Sequence, residues 1–216
     1  TMAQVPVAKA APYACADVDM TLRLVKVLTS EMKERNLWPL FTDVEMPIVP
    51  VLVAMEEAGV MLDVPFLSTM QADLAKQLSA LEKDLYRAAG HEFNINSTQQ
   101  LGKVLFDELK LGGDRVRKTA SGGYSTAVDV LEQLQGAHPI IDLILEYRQL
   151  SKLQSTYVEA LPKMVNPNDG RVHTSYNQIG SVTGRISSND PNLQNIPIRT
   201  DIGRQVRRAF IAPKGS

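Results

Sequence analysis

The stretch Arg171–Ala212, which reads RVHTSYNQIGSVTGRISSNDPNLQNIPIRTDIGRQVRRAFIA, decides how the chain is interpreted. It is rich in side-chain amides, hydroxyls and arginines. Residues 171–216 contain seven Arg or Lys and two Asp, a net charge of +5, whereas the whole chain carries −1 and residues 1–170 therefore −6. Positive charge concentrated at one end indicates a polyanionic partner more strongly than a uniformly basic chain would.

The residues before this stretch have a helical pattern. Apolar residues spaced by three and four form two stripes, at 67–88 and 140–161, and each stripe is typical of a helix with one apolar face. Asp63 is the predicted cap of the first helix and Gly90 its end. Two helices of similar length with single apolar seams are predicted to pack as an antiparallel hairpin.

The shorter patterns complete the predicted fold. Two helices lie between the stripes, at 98–109 after Ser97 and 127–135 after Thr126, and two precede them, at 14–36 and from a capping box at Thr42–Glu45 to about Ala58. A short strand is predicted at 60–62, and period-two spacing predicts further strands at 172–178 and 182–187. The fold class is mainly α: a long antiparallel helical hairpin with a small helical tip, followed by a few β-strands of an incomplete mixed sheet.

The composition excludes several classes of protein. A hydrophobic content of 44% and a charged content of 22% are those of an ordinary globular protein. The single cysteine, Cys15, excludes an internal disulfide and indicates a reducing, cytoplasmic setting. No apolar run is expected to reach the roughly 20 residues of a membrane span, and no signal-peptide pattern stands at the N-terminus. We therefore expect no membrane partner.

Three motifs carry a resemblance to a known family. They are Thr183-Gly184-Arg185-Ile186-Ser187-Ser188, then Pro191-Asn192-Leu193-Gln194-Asn195-Ile196-Pro197 with Arg199, and finally Gly203, Arg207 and Ala209-Phe210. In this order they resemble the junction of thumb and palm in the bacterial family A DNA polymerases, and the resemblance extends over nearly the whole chain. It implies four segments: 1–40, a remnant of a 3′–5′ exonuclease domain; 41–62, a connecting helix and the start of the polymerase domain; 63–166, the helical thumb; and 167–216, the beginning of the palm.

Arg185 is the first candidate for DNA binding. Its planar guanidinium can donate to base-edge acceptors or to phosphates, and the neighbouring Gly184 leaves room for close approach. The resemblance implies a contact with the minor groove at the primer-terminal base pair, where acceptors are common to all Watson–Crick pairs. It also places Ser187 and Arg199 beside DNA. A surface ion pair is the alternative for Arg185.

Asn192, Gln194 and Asn195 form an amide cluster between two prolines. Amides offer donors and acceptors without charge, which suits sugar edges and minor-groove atoms. The resemblance implies that this loop lines the duplex next to the primer terminus. The alternative is a turn that satisfies its own backbone, and for Asn192 the two roles are compatible.

The second long helix and the tip supply further candidates. The sequence from Glu146 to Tyr157 resembles the thumb segment that tracks the minor groove, which implies DNA contacts for Arg148, Lys152 and Ser155. Lys118 and Thr119, in the loop between the two short helices, resemble a segment that grips the DNA backbone. Arg204, Arg207 and Arg208 share one face of a predicted helix, which would suit phosphates, although a solvated charged surface is the ordinary explanation of this pattern.

Tyr13 and Asp17 resemble the last motif of the proofreading exonuclease. The resemblance implies that Asp17 ligates a metal ion and that Tyr13 orients the attacking water. The other carboxylates of such a site lie upstream of Thr1 in the family, so we expect no complete metal site here. A plain helix N-terminus is the alternative interpretation.

Polymerisation requires carboxylates that hold two Mg²⁺ ions. In the family the first catalytic aspartate follows the AFxAP sequence, in a strand that would come after Ser216. The chain alone is therefore expected to contain no complete catalytic set, to bind no Mg²⁺ stably, and neither to polymerise nor to proofread. Its expected partners are a primer-template DNA duplex and the remainder of the polymerase, palm and fingers.

Two other functions are consistent with parts of the sequence. A non-catalytic helical module that binds nucleic acid or another protein would explain the leucine-rich hairpin. A protein-interaction domain, however, would leave the segment 185–199 unexplained. A complete nuclease is disfavoured by the lack of clustered carboxylates.

Overall fold

A computed structural model describes residues 4–113, 118–119, 122–198 and 200–213. The chain divides into two compact units. The first comprises Thr1–Ala58 and Tyr176–Ser187, and the second Gly59–Ser175 and Ser188–Ser216. This is a division by compactness, and the four segments implied by the family resemblance stay a prediction.

Helices make up most of the first unit. α1 (Val7–Glu34) is followed by α2 (Trp38–Leu40), a π-helical segment (Phe41–Glu45) and α3 (Met46–Ala58). α1 begins seven residues earlier than predicted and contains no buried residue. Apolar residues spaced by three and four along α1 form a stripe that is between 48% and 70% exposed, at Val18, Leu22, Val25 and Leu28. The helix was thus predicted correctly, with a start that is too late.

The predicted capping box at Thr42–Glu45 is wrong. Pro39 stands in the first turn of α2, so the helix begins before this box, and the Thr42 hydroxyl donates to the Trp38 carbonyl (3.1 Å) inside the helix. Pro47 lacks the N–H that an α-helix would direct at the Asp43 carbonyl. The backbone widens just before it, and the Met46 N–H bonds to the Phe41 carbonyl five residues back.

Residues Trp38–Ala58 form one continuous helix that is long and apolar enough to cross a membrane. The expectation that no apolar segment reaches this length is therefore wrong. The 21 residues of this helix have a mean hydropathy of 1.3 over the most apolar window, and 6% of that window is buried. Length and composition alone do not assign a membrane span, because the mostly buried core helices of soluble proteins can be equally long and apolar. Glu45 and Glu56 on this helix accept hydrogen bonds from the Gln178 side chain (2.5 Å) and the Tyr176 N–H (2.6 Å).

The strand predicted at 182–187 is largely a turn. The Gly184 N–H donates to the Ser181 carbonyl (3.3 Å), and Gly184 has a φ of +72°, which a β-strand does not accommodate. The hydroxyls of Ser181 and Thr183 hydrogen-bond to each other (2.8 Å), which favours a local turn over pairing with a strand. Regular pairing starts later, because β3 (Ser175–Asn177) forms a two-stranded sheet with β4 (Ser187–Asn189).

The second unit is built on the predicted hairpin. Its first arm is α4 (Val64–Ala89), and its second arm is α7 (Pro139–Leu153), continued by a π-helical segment (Gln154–Val158) and α8 (Ala160–Lys163). The Asp63 carboxylate accepts from the Phe66 N–H (2.9 Å), which confirms the cap. Gly90 ends α4 with a φ of +84°.

The two arms pack antiparallel, as predicted. At one end Leu85 of α4 lies in a buried cluster with Ile140, Ile141 and Ile144, from the start of α7. At the other end the beginning of α4 shares a second buried cluster with residues from the end of the second arm, among them Leu67, Met70, Leu153, Tyr157 and Leu161. Burial of these side chains stabilises the hairpin by about 1.5–3 kcal/mol each relative to exposure.

The tip between the arms is helical. It contains α5 (Thr98–Gly102), a π-helical segment (Lys103–Glu108) and α6 (Val128–Glu132). Ser97 caps α5 by accepting from the Gln100 N–H (3.3 Å), as predicted. The residue before α6 is Ala127 and not Thr126; the Thr126 side chain and carbonyl are instead bonded to Arg148.

A small sheet joins distant parts of the second unit. β1 (Val60–Leu62) lies between β2 (Arg171–Val172) and β5 (Phe210–Ile211) and pairs antiparallel with both. This three-stranded sheet is antiparallel, which corrects the expectation of a mixed sheet. β5 was not predicted, since two residues are too short for a period-two pattern to register. It follows α9 (Asp201–Arg208), which the sheet thereby holds near the hairpin core.

Candidate nucleic-acid interface

The amide loop, Pro191–Pro197, is folded by its own side chains. The Asn192 amide oxygen accepts from the N–H groups of Gln194 (3.0 Å) and Asn195 (3.3 Å). This confirms that the loop contains the self-satisfied turn described from the sequence. Two backbone donors occupy the oxygen of Asn192, so its contribution to a ligand comes from the NH₂ group.

Polar and apolar residues of the amide loop separate onto opposite sides. Leu193 and Ile196 are half-buried and pack against the second hydrophobic cluster. Asn192, Gln194 and Asn195 are exposed. The loop therefore presents three uncharged amides to solvent from an apolar base.

The start of the loop is held by hydroxyl groups. The Thr174 hydroxyl lies 2.8 Å from the Pro191 carbonyl and 2.9 Å from the Asn189 carbonyl, and it is buried. The Ser188 hydroxyl accepts from the Leu193 N–H (2.9 Å). Satisfied buried hydroxyls of this kind fix the position of a backbone segment because leaving them unpaired is costly.

The end of the loop is held by longer side chains. The Tyr157 hydroxyl donates to the Asn195 carbonyl, and the Arg207 guanidinium donates to the Ile196 carbonyl (3.1 Å). Arg204 donates to the Ile198 carbonyl (3.3 Å) and pairs with Asp201, while Arg208 lies 5.5 Å from the centre of the Phe66 ring. The three arginines predicted to share one helix face thus each make a contact within the protein.

A groove of about 940 Å³ lies between the second hairpin arm and the amide loop. Lys152, Asn192, Gln194 and Asn195, all predicted to contact DNA, line it together, and so does Arg207, one of the arginines considered for phosphate binding. Sequence reasoning did not assign Gln149 and Thr156, which also line it. Gln149 lies three residues before Lys152 and Thr156 lies four residues after it, and residues at these spacings share one helix face. This spacing could have identified both residues from the sequence.

Arg148 and Ser155, also on the second arm, lie outside this set. The Arg148 guanidinium donates to the Thr126 carbonyl and to the Thr126 hydroxyl (3.1 Å), and burial lowers the pKa of this guanidinium from its ordinary value. The Ser155 hydroxyl donates to the Ser151 carbonyl (2.9 Å) within its own helix. Their predicted DNA contacts stay predictions, and in this structure both side chains bond to the protein.

Lys118 and Thr119 are exposed in the tip. Lys118 forms an isolated antiparallel bridge with Tyr124, and the Thr119 N–H donates to the Gly123 carbonyl (2.7 Å). Thr119 also lines a second cavity of about 790 Å³ together with Gln99 and Lys103. The residues that line this cavity are far from the amide loop in the sequence, and a larger share of them is polar than in the groove.

Arg185 and Ser187 belong to the first unit. Arg185 is exposed and follows the positive-φ Gly184 in the turn. Arg199 lies outside the described residues.

The possible exonuclease remnant is on α1. Tyr13 and Asp17 are exposed and one helical turn apart. Because α1 begins at Val7, Asp17 is not at a helix N-terminus, and that alternative is wrong. Across residues 4–113, 118–119, 122–198 and 200–213, no three His, Cys, Asp or Glu side chains are close enough to hold a metal ion. The metal role of Asp17 stays a prediction.

Comparison with known proteins places this geometry in a family. A model of DNA polymerase family A matches residues 64–216. The DNA polymerase I of Chloroflexus aurantiacus is 50% identical over 218 residues, covering 100% of this chain and 23% of that protein. The thermostable DNA polymerase I of Thermus filiformis is 52% identical over 194 residues, covering 89% of this chain and 23% of that protein.

A solved structure agrees with the sequence matches. The POL domain of Pol1 from M. smegmatis, in complex with DNA primer-template and dNTP, resembles this chain with a TM-score of 0.81 and 38% identity. The likeness covers 90% of this chain and 34% of that chain. The chain spans about a quarter of the length of the curated relatives that it matches. The family model matches residues 64–216, the relatives are about 50% identical in the aligned positions, and the fold is shared. The chain therefore belongs to DNA polymerase family A.

Proposed function

We propose that this chain positions primer-template duplex for a cytoplasmic DNA-directed DNA polymerase. The observation that carries the proposal is the groove in which Lys152 and the three exposed amides of the amide loop meet. Support also comes from the related Pol1 domain, whose structure contains DNA primer-template and dNTP.

The chemistry of the groove suits duplex DNA of any sequence. Lys152 supplies a charge for a phosphate, and the amides supply uncharged donors and acceptors for sugars and for minor-groove base edges. The minor groove distinguishes the four base pairs poorly, so a surface that reads it holds a duplex with little sequence preference. A polymerase needs such binding, because its template varies at every step.

The 216-residue chain by itself is proposed to be inactive in nucleotide incorporation and in exonucleolytic cleavage. When bound, Mg²⁺ would polarise the phosphoryl oxygens and activate the attacking oxygen. The described residues bring no three potential ligands together, so we assign no reaction step to them. The role proposed for this chain is to hold the duplex.

The test is equilibrium binding of the chain to three fluorescent ligands: a duplex with a recessed 3′ end, the same template as a single strand, and a blunt duplex. We expect the recessed duplex to bind more tightly than the single strand, with an affinity that falls as salt rises. Equal affinity for the single strand would contradict duplex positioning. In the same samples, steady incorporation of a labelled nucleotide would contradict the proposed inactivity.

A further inference from the structure

We propose that Tyr157 and Arg207 are positioning residues that clamp the end of the amide loop, and that Arg207 is not itself a phosphate ligand. The inference rests on the proposed function, since it concerns how the loop that faces DNA keeps its shape. Both residues bind carbonyl groups of the loop, whereas Asn192 accepts from two of its N–H groups.

The clamp acts on two consecutive carbonyl groups. Tyr157 donates to the carbonyl of Asn195 and Arg207 to the carbonyl of Ile196, at 3.1 Å for the latter. The donors come from different elements, the π-helical segment of the second hairpin arm and α9. Two bonds from separate elements fix both the position and the orientation of a backbone segment, whereas one bond would leave it free to rotate.

Tyr157 is suited to this role because it is itself immobile. Its side chain is 4% exposed and belongs to the second hydrophobic cluster. Burial raises the pKa of the Tyr157 hydroxyl above its ordinary value, so the group keeps its proton and donates throughout the neutral range. Tyr157 also lies where the helix widens, as the Glu159 N–H bonds to the Gln154 carbonyl five residues back, and such wide turns are frequent at functional sites.

Arg207 is held against the loop by a close approach of the backbone. A Cβ atom at Gly203 would lie 2.7 Å from the Pro197 Cβ and 3.1 Å from the Pro197 carbonyl oxygen. Only glycine therefore allows α9 to lie this near to the end of the loop. One turn later on α9, Arg207 reaches the Ile196 carbonyl.

The outcome of the clamp is the arrangement of the loop side chains. With the carbonyls of Asn195 and Ile196 fixed, Ile196 packs into the apolar base while Asn195 and Gln194 stay exposed beside the groove. The exposed amides are thus held in place before DNA binds. Preorganisation of this kind strengthens binding because the ordering cost has been met during folding.

The first test does not involve DNA. Hydrogen exchange is measured at the N–H groups of Leu193, Gln194 and Asn195 in the full chain, for Tyr157→Phe and for Arg207→Gln. We expect exchange at these three amides to accelerate about tenfold in each variant, as for the loss of one hydrogen bond. Unchanged exchange in both variants would overturn the clamp.

Matched controls are present on the same hairpin arm and on α9. Tyr147→Phe removes a hydroxyl from a tyrosine of α7 that packs in the first hydrophobic cluster, and Arg208→Gln removes the same charge from the neighbouring residue on α9, which lies over Phe66. Both controls should leave exchange in the loop unchanged. Acceleration in the controls equal to that in the variants would mean general loosening and would also overturn the clamp.

The second test separates clamping from phosphate binding. Binding to recessed duplex is measured for Arg207→Gln against salt concentration. We expect affinity to fall about tenfold while the slope of log K against log salt stays that of the unsubstituted chain. A slope smaller by about 0.9 would show one lost phosphate contact and overturn the assignment. Accelerated exchange with unchanged affinity would show that the clamp does not serve DNA binding.

The two tests also separate the clamp from the proposed function. If the unsubstituted chain shows no preference for recessed duplex, the proposed function fails, and the exchange result still decides whether the clamp exists. If the chain binds recessed duplex and exchange is unchanged in the variants, only the clamp fails.

Discussion

At the scale of single residues, the structure assigns protein partners to side chains that composition alone would assign to DNA. Arg148 bonds to Thr126, Arg204 to Asp201 and Arg207 to the Ile196 carbonyl. Arginine donates from five N–H groups in a fixed fork, so it can brace a backbone segment as readily as it binds a phosphate. A basic charge count therefore indicates a polyanion for the segment as a whole without identifying which arginine touches it.

A residue-scale prediction concerns His91 in the tip. Its Nε2 lies 2.7 Å from the Glu108 carboxylate, and this bond, followed by the bond to the Glu92 carbonyl, raises the pKa of His91 above 6.5. A group whose pKa is raised on folding contributes its full stabilisation at pH values below its unfolded pKa, which for histidine is about 6.5. That stabilisation is lost as the pH rises through the higher folded pKa.

The measurement is an NMR titration of the His91 ring. We expect a midpoint above that of an unstructured histidine, and we expect Glu108→Gln to lower it. A midpoint that Glu108→Gln leaves in place would contradict the assigned hydrogen bond.

At the scale of elements, α4 and α1 each carry an apolar stripe, but the stripe of α4 is buried and that of α1 is exposed. Leu74 of α4 is 2% exposed, whereas Leu22 of α1 is 70% exposed. Leu74→Ala is therefore expected to lower the free energy of unfolding by about 2–5 kcal/mol. Leu22→Ala, the same chemical change, is expected to alter it by less than about 0.5 kcal/mol.

Chemical denaturation of both variants measures this contrast. Equal losses of stability would mean that the stripe of α1 is covered in solution, contrary to its exposure in this structure.

The elements also show how far sequence reasoning reaches. The hairpin was predictable because Asp63, Gly90 and two regular stripes are local signals that agree with one another. The π-helical segment Phe41–Glu45 was not, since it depends on the missing N–H of Pro47. The short strand β5 was not either, since it depends on pairing between residues such as Leu62 and Phe210 that are far apart in sequence. In the site, the family resemblance pointed to Lys152, and residue types together with the resemblance pointed to the amide loop. The bonds from Tyr157 and Arg207 to backbone carbonyls leave no trace in the side-chain pattern.

At the scale of the whole molecule, the chain consists of two compact units with different surfaces. The family match at 64–216 covers nearly all of the second unit and a short segment, 176–187, of the first. The second unit holds both buried clusters and the groove. The first unit has many exposed apolar side chains, including Leu24, Val27 and Val51. The DNA binding proposed for the groove involves residues of the second unit.

The groove is proposed to bind duplex DNA through one charged contact and several uncharged ones. The most direct measurement is the salt dependence of binding to recessed duplex for Lys152→Gln and for Gln194→Ala, two exposed residues that line the same groove. We predict that Lys152→Gln reduces the slope of log K against log salt by about 0.9, the value for one phosphate. Gln194→Ala should lower affinity with the slope unchanged. Affinity and slope that remain those of the unsubstituted chain in both variants would contradict the claim.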